Sequence, residues 1–193
     1  SMRGGVGLKV RAVVTSTAFL ILYLAMFTGL AAGFTVNANL KELLPEASVT
    51  LGVAAVSLFA MANAGGRVVW GMLFDRFSAI RTLQSNLFLQ AVLLLTAPLI
   101  LTNPPGLLFF AVLAGFNYGG VLVLYAASAA RAWGAENVGQ VYGWLFSANI
   151  PAAIFPVLAG FAYDRWQSFA IPLSTIAVLL VVGIVGVQGL RRS

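Results

Sequence analysis

The chain has 193 residues and a formal net charge of +6, and it is 61% hydrophobic but only 8% charged. An ordinary soluble domain is about half apolar and about a quarter charged, so this composition excludes that class. The sequence contains no Cys, no His and only five Asp and Glu residues. Thiolate and imidazole chemistry, disulfides and nearly all zinc or copper sites are excluded, and we expect no enzymatic activity, no metal and no cofactor.

Six apolar runs follow one another along the chain, and each is long enough to cross about 30 Å of hydrocarbon as a helix. They cover residues 12–34, 49–73, 82–102, 105–130, 138–162 and 169–190. The alternating ten-residue segments of a membrane β-barrel are absent, which leaves helices as the spanning structure. The sequence therefore predicts an all-α membrane protein with six transmembrane helices in a single bundle over residues 1–193.

The Lys and Arg residues between the runs indicate the orientation of this bundle. If the N-terminus is cytoplasmic, eight of them fall inside and two outside, as the positive-inside rule requires. The inside set is Arg3, Lys9, Arg11, Arg76, Arg81, Arg131, Arg191 and Arg192, and the outside set is Lys41 and Arg165. We expect both termini in the cytoplasm, in a multi-pass protein of the cell membrane. The positive charge then reflects topology beside membrane lipid and does not indicate nucleic-acid binding.

Small residues and prolines indicate how the helices pack. Three glycine pairs have the GxxxG spacing that allows close helix approach in lipid: Gly29/Gly33, Gly115/Gly119 and Gly139/Gly143. Pro151 and Pro156 predict a bend in the fifth run. Irregular backbone at membrane depth is tolerated only inside protein or beside a cavity, so we expect the fifth helix to line a cavity.

Arg67 is the most informative residue because it lies inside the second run, eight residues before Asp75. A charge in hydrocarbon costs several kcal/mol, and eight residues of helix rise about 12 Å, a long reach for snorkelling to the interface. All five carboxylates lie in loops or at run ends, so no internal partner is evident. The favoured partner is an external anion, and a carboxylate matches the planar guanidinium. Snorkelling or pairing with a carboxylate is the structural alternative.

Asn63 lies four residues before Arg67 and shares its helix face. It either orients the guanidinium or contacts a substrate, or it makes an ordinary interhelical hydrogen bond. Other polar candidates in the later runs are Tyr118, Tyr125, Tyr142, Ser147 and Asn149. Tyr118 and Tyr125 are seven residues apart and share a face. Together these residues predict a polar interior surface built from several helices.

The segment from Gly71 to Asp75-Arg76, followed by Arg81, resembles the G-x-x-x-D-R-x-G-R-R loop motif of the major facilitator superfamily. Ser78 stands where Gly is usual, and residues 79–80 replace basic positions. Residues 63–67 resemble the N-G-x-x-R segment of the oxalate/formate antiporter family. Residues 142–149, followed by Pro156, are similar to the eleventh helix of that family. The resemblance covers nearly the whole chain but only the C-terminal half of a twelve-helix carrier.

The resemblance implies a cavity between two six-helix bundles, alternating access and small carboxylate substrates. It assigns carboxylate binding to Arg67 and a cavity aromatic to Tyr118. Asn149 stands where oxalate antiporters carry Lys, and Asn63 stands where the related monocarboxylate transporters carry Asp, which leaves oxalate specificity and proton coupling open. In such carriers the motif, here Gly71, Asp75, Arg76 and Arg81, latches the cytoplasmic helix ends, and simple anchoring of the topology is the alternative role.

The leading hypothesis is a half-size transporter of small carboxylates that works as a homodimer, because the halves of these carriers are parallel repeats. Substrate contacts are then expected from Arg67, Asn63, Tyr118, Tyr125 and Asn149. Without His or an embedded carboxylate to relay protons, exchange or uniport is favoured over proton symport. Two alternatives remain: one half of a split or truncated transporter that needs a separate N-terminal half, and a non-transporting membrane scaffold.

Overall fold

The computed structural model describes residues 10–44 and 47–191, with Arg191 described for its backbone only. Arg3, Lys9 and Arg192, which contributed to the orientation argument, lie outside the described residues, as does Glu46. The described chain is 88% helical and contains no strand. The α-helices are α1 Val10–Val14, α2 Thr17–Asn39, α3 Val49–Arg76, α4 Ala79–Ile100, α5 Pro104–Trp133, α6 Val138–Phe146, α7 Asn149–Ala152, α8 Phe155–Trp166 and α9 Ala170–Gln188. Short 3-10 turns lie at Ala135–Asn137 and Gly189–Arg191.

Six helical segments of the described chain are long and apolar enough to cross a membrane, which confirms the predicted fold class. They are α2, α3, α4, α5, the segment Ala135–Trp166 and α9. Their ends differ from the apolar runs by a few residues. The helices α3 and α5 each continue three residues beyond the run, to Arg76 and Trp133. Hydropathy reports the depth of hydrocarbon, whereas the helix continues through polar residues into the interface.

Side-chain caps explain where four of the spanning helices begin. Ser16, Ser48 and Ser78 each accept a hydrogen bond from the backbone N–H three residues ahead, at 3.3, 3.2 and 3.4 Å. Asn103 does the same for the N–H of Gly106 at 2.8 Å. These bonds satisfy donors that a helix start leaves free. Because Ser16 is the N-cap of α2, the first span begins at Thr17, whereas the apolar run begins at residue 12.

The helix α2 is the centre of the bundle: 67% of its most apolar stretch is buried, and it contacts α5, α6, α7, α8 and α9. The helix α3 packs mainly on α5, and α4 packs on α9 and α5. Two spans are far less covered. Only 28% of the corresponding stretch of α3 and 22% of that of Ala135–Trp166 are buried, so these two spans expose wide faces.

Backbone contact joins α3 to α5 through glycines. A Cβ added at Gly115 would collide with the carbonyl of Phe59, and one at Gly119 would collide with the carbonyl of Asn63 and lie 2.9 Å from the backbone nitrogen of Arg67. We call this contact the α3–α5 seam. Gly29 and Gly33 are likewise covered, by Val121 and Tyr118. The third predicted pair, Gly139/Gly143, has nothing within 4 Å of either added Cβ and faces outward.

The fifth span is interrupted twice rather than bent once. The helix α6 ends at Phe146, α7 covers four residues that include Pro151, and α8 begins at Phe155 with Pro156 in its first turn. Proline lacks a backbone N–H and clashes with the preceding turn, which accounts for the breaks. The side chain of Asn149 donates to the carbonyl of Phe146 at 2.6 Å and satisfies one acceptor freed at the first break.

Candidate functional site

Arg67 lies in the interior of α3, on its uncovered side, and its side chain is exposed in the isolated chain. Nine residues separate it from the helix end at Arg76, which corresponds to about 14 Å of helix. The carboxylates of the described residues, Glu42, Asp75, Glu136 and Asp164, lie in turns or in the last turn of a helix. None of them lies in the interior of a spanning helix, where it would face Arg67 at its depth.

Asn63 is the hydrogen-bond partner of Arg67. The Nε of Arg67 donates to the Oδ1 of Asn63 at 3.1 Å, as the four-residue spacing on one helix face allows. Asn63 is 9% exposed, and its carbonyl lies against Gly119 in the α3–α5 seam. Because this bond uses only the Nε–H, it holds the plane of the guanidinium while the two Nη groups keep their donors for an anion.

Two tyrosines of other helices lie within electrostatic range of the guanidinium. We call the four residues Asn63, Arg67, Tyr118 and Tyr142 the arginine cluster. Tyr118 on α5 and Tyr142 on α6 both lie within electrostatic range of the Arg67 charge, and Tyr118 also lies within range of Tyr142. The cluster therefore joins three helices that are far apart in the sequence.

Both tyrosines are held by packing. The ring of Tyr118 lies between Phe34 and Phe59, with centroids 6.0 Å away in each case, and covers Gly33. The hydroxyl of Tyr142 donates to the carbonyl of Leu122 at 3.1 Å and ties α6 to α5. Tyr142 was one of several polar candidates in the sequence. Its place beside Arg67 depends on how α6 packs, for which the sequence carries no direct signal.

The other two candidate contact residues lie in different settings. Tyr125 is fully buried in the bundle, and its hydroxyl has no hydrogen-bond partner among the described residues. Asn149 is half-buried on α7, and its amide nitrogen is bonded to the backbone of Phe146. Among the described residues, neither Tyr125 nor Asn149 makes a hydrogen bond to a member of the arginine cluster.

The residues of the loop motif lie together at the junction of α3 and α4. Asp75 and Arg76 are exposed at the end of α3, and Arg81 is exposed in the first turn of α4. Ser78, which stands in place of the usual Gly, caps α4 by accepting from the N–H of Arg81. A Cβ on Gly71 would meet Val123 at an ordinary 3.5 Å, so packing within the chain does not require glycine there. A latching role for the motif stays a prediction.

Comparison with known proteins identifies two distant relatives. The chain is 29% identical over 168 residues to apicoplast pyruvate carrier 1 of Toxoplasma gondii, covering 80% of this chain and 29% of that protein. It is 28% identical over 113 residues to the uncharacterized MFS-type transporter YhjX of Escherichia coli strain K12, covering 56% of this chain and 27% of that protein. No family model matches the chain. The chain thus spans less than a third of the length of the curated relatives it matches.

The fold and the relatives together define the class. This is a multi-pass membrane protein whose distant relatives are transport proteins and not enzymes. Neither relative carries the name of the oxalate/formate antiporters, so that narrower resemblance rests on the sequence motifs alone.

Proposed function

We propose that this chain is a half-size secondary transporter of small carboxylate anions that works by alternating access as a homodimer, through exchange or uniport. The observation that carries the proposal is Arg67. Its guanidinium lies inside a spanning helix on an uncovered face, and a neutral amide, not a carboxylate, holds its Nε–H. An intramembrane arginine without a carboxylate partner at its depth is typical of a substrate or ion pathway, and an anionic substrate offsets its charge.

The arginine cluster matches the chemistry of a small carboxylate. The two Nη groups of Arg67 present a pair of parallel donors to the two carboxylate oxygens. Tyr118 adds a hydroxyl within electrostatic range of Arg67, and the rings of Phe34 and Phe59 pack against Tyr118 as an apolar wall. The O–H of Tyr142 is already donated to a backbone carbonyl of α5, so Tyr142 positions α6 rather than binding the carboxylate. The name of the Toxoplasma gondii relative, a pyruvate carrier, supports this class of substrate.

A second copy of the chain supplies the missing half of the cavity in this proposal. The two spans with wide exposed faces, α3 and Ala135–Trp166, are those that contribute Arg67 and Tyr142. The open glycine pair Gly139/Gly143 on α6 offers a surface for close helix approach. A twofold axis along the membrane normal keeps both copies in the same orientation and places two Arg67 residues across one cavity.

A second candidate function is that of one half of a split transporter, which needs a different six-helix partner. It is favoured by the share of the relatives that this chain covers, 27% and 29%. The same uncovered faces of α3 and Ala135–Trp166 would then receive an unlike half. The two candidates differ in whether this polypeptide transports when it is alone.

The test is counterflow in proteoliposomes that contain this polypeptide only, loaded with pyruvate, lactate, formate or oxalate. We expect uptake of at least one labelled acid by the unaltered protein and loss of that uptake in Arg67→Ala. The matched control is Arg11→Ala, since Arg11 is an exposed arginine in α1, outside both spans of the proposed interface. This control is expected to retain uptake.

Equal uptake by Arg67→Ala and the unaltered protein would contradict the assignment of the arginine. Absence of uptake for every acid in the panel would contradict a self-sufficient homodimer and favour the split transporter.

A further inference from the structure

A groove lies at one end of the bundle, separate from the arginine cluster. It has a volume of about 210 Å³ and is formed where α2 and α4 begin and where α5 and the segment after α9 end. Its apolar wall includes Ala18, Ala79, Leu83 and Leu190, and two polar residues of α5, Ser128 and Arg131, complete it. Because four spans begin or end here, the groove lies at the boundary between hydrocarbon and water.

Ser128 is a buried hydroxyl in need of a partner. It is 5% exposed, and its Oγ has no hydrogen-bond partner among the described residues. A buried polar group without a partner costs free energy. Because Ser128 also lines the groove, a polar atom of a molecule bound there would be its partner.

Arg131 supplies a held positive charge at the mouth of the same groove. Its guanidinium carbon lies 4.5 Å above the centre of the Phe74 ring, a cation–π contact that limits the freedom of the side chain. Ser128 precedes Arg131 by three residues on α5, so it lies about 4.5 Å further from the end of the helix and deeper in the bundle. In a phospholipid the charged phosphate lies nearer to water and the glycerol esters lie deeper. Arg131 at the mouth and Ser128 below it follow the same order.

The charges of the described residues favour an anion at this end. Four arginines accompany two carboxylates here, whereas two cations and two carboxylates balance at the other end. The near set is Arg11, Arg76, Arg81, Arg131, Asp75 and Glu136, and the far set is Lys41, Arg165, Glu42 and Asp164. Basic pockets between transmembrane helices at a membrane surface attract anionic lipid headgroups.

We propose that this groove binds an anionic phospholipid, with one acyl chain along the apolar wall, the phosphate at Arg131 and an ester carbonyl accepting from the Oγ–H of Ser128. A free phosphate ion would satisfy Arg131 but would leave the aliphatic wall and the deeper hydroxyl unused. The site does not depend on the proposed transport activity.

The test is native mass spectrometry of the full chain released from detergent, with phosphatidylglycerol and phosphatidylcholine of identical acyl chains. We expect the unaltered protein to retain phosphatidylglycerol preferentially. Arg131→Gln should lower that preference by about five-fold, the scale of one basic residue at an anionic surface. Arg131→Lys should retain most of the preference, and Arg165→Gln, at the far end, should leave it unchanged.

Two further measurements separate the parts of the site. Ala79→Trp fills the groove without changing any charge and should reduce retention of both lipids, and Ser128→Ala should reduce lipid retention without lowering thermal stability. Inorganic phosphate at millimolar concentration should not displace the lipid. The proposal is overturned if Arg131→Gln and Arg165→Gln behave alike, or if inorganic phosphate displaces phosphatidylglycerol completely, which would identify a soluble-anion site.

Discussion

At the level of single residues, one hydrogen bond, from Arg67 to Asn63, sets the orientation of the guanidinium. We expect Asn63→Ala to keep the positive charge but to release its plane, because nothing else among the described side chains bonds the Nε–H. A hydrogen bond to a charged group is worth about 1.5 to 3 kcal/mol when buried, and less at this open face. The apparent affinity for a transported carboxylate should fall by about three- to ten-fold in a proteoliposome concentration series.

Asn63→Asp separates orientation from charge at the same position. A carboxylate four residues before Arg67 pairs with the guanidinium and competes with the substrate. We expect Asn63→Asp to reduce uptake more than Asn63→Ala does, measured in the same vesicles. If the aspartate variant transports as well as the unaltered protein, Arg67 does not meet the substrate as a free cation.

At the level of helices, the α3–α5 seam holds Asn63 and Arg67 in place against α5. A methyl group at Gly119 would meet the carbonyl of Asn63 and the backbone nitrogen of Arg67, neither of which is free to move aside. Overpacking of this kind costs about 1 to 3 kcal/mol. We expect Gly119→Ala to lower the Tm of the detergent-solubilised protein by several degrees.

Gly139→Ala is the matched control for the seam, because the added methyl group meets nothing within 4 Å. Alanine is favoured over glycine in a helix by about 1 kcal/mol, so its Tm should stay the same or rise slightly. A fall of equal size in both variants would show that the seam is not the origin of the effect.

Helix positions were largely predictable from the sequence, whereas the way in which helices meet was not. The six spans follow from hydropathy, and the Asn63–Arg67 pair follows from a four-residue spacing on one helix. The role of each glycine pair depends on which helix lies opposite: Gly115/Gly119 contacts α3, but Gly139/Gly143, with identical spacing, contacts nothing in the chain. Tyr142 comes within electrostatic range of Arg67 for the same kind of reason, through the packing of α6 on α5.

The open glycine pair on α6 leads to the prediction for the whole molecule. If two copies associate through the exposed faces of α3 and Ala135–Trp166, a large side chain at Gly143 has free space in one chain but collides with the second. We expect Gly143→Leu to convert a dimer to a monomer in lipid nanodiscs, measured by native mass spectrometry, and to abolish counterflow without lowering Tm. Gly186→Leu is the control, since Gly186 on α9 is equally open and lies outside the proposed interface. A Gly143→Leu protein that remains dimeric and active would contradict the proposed interface, because that interface brings α6 of each copy close to its partner.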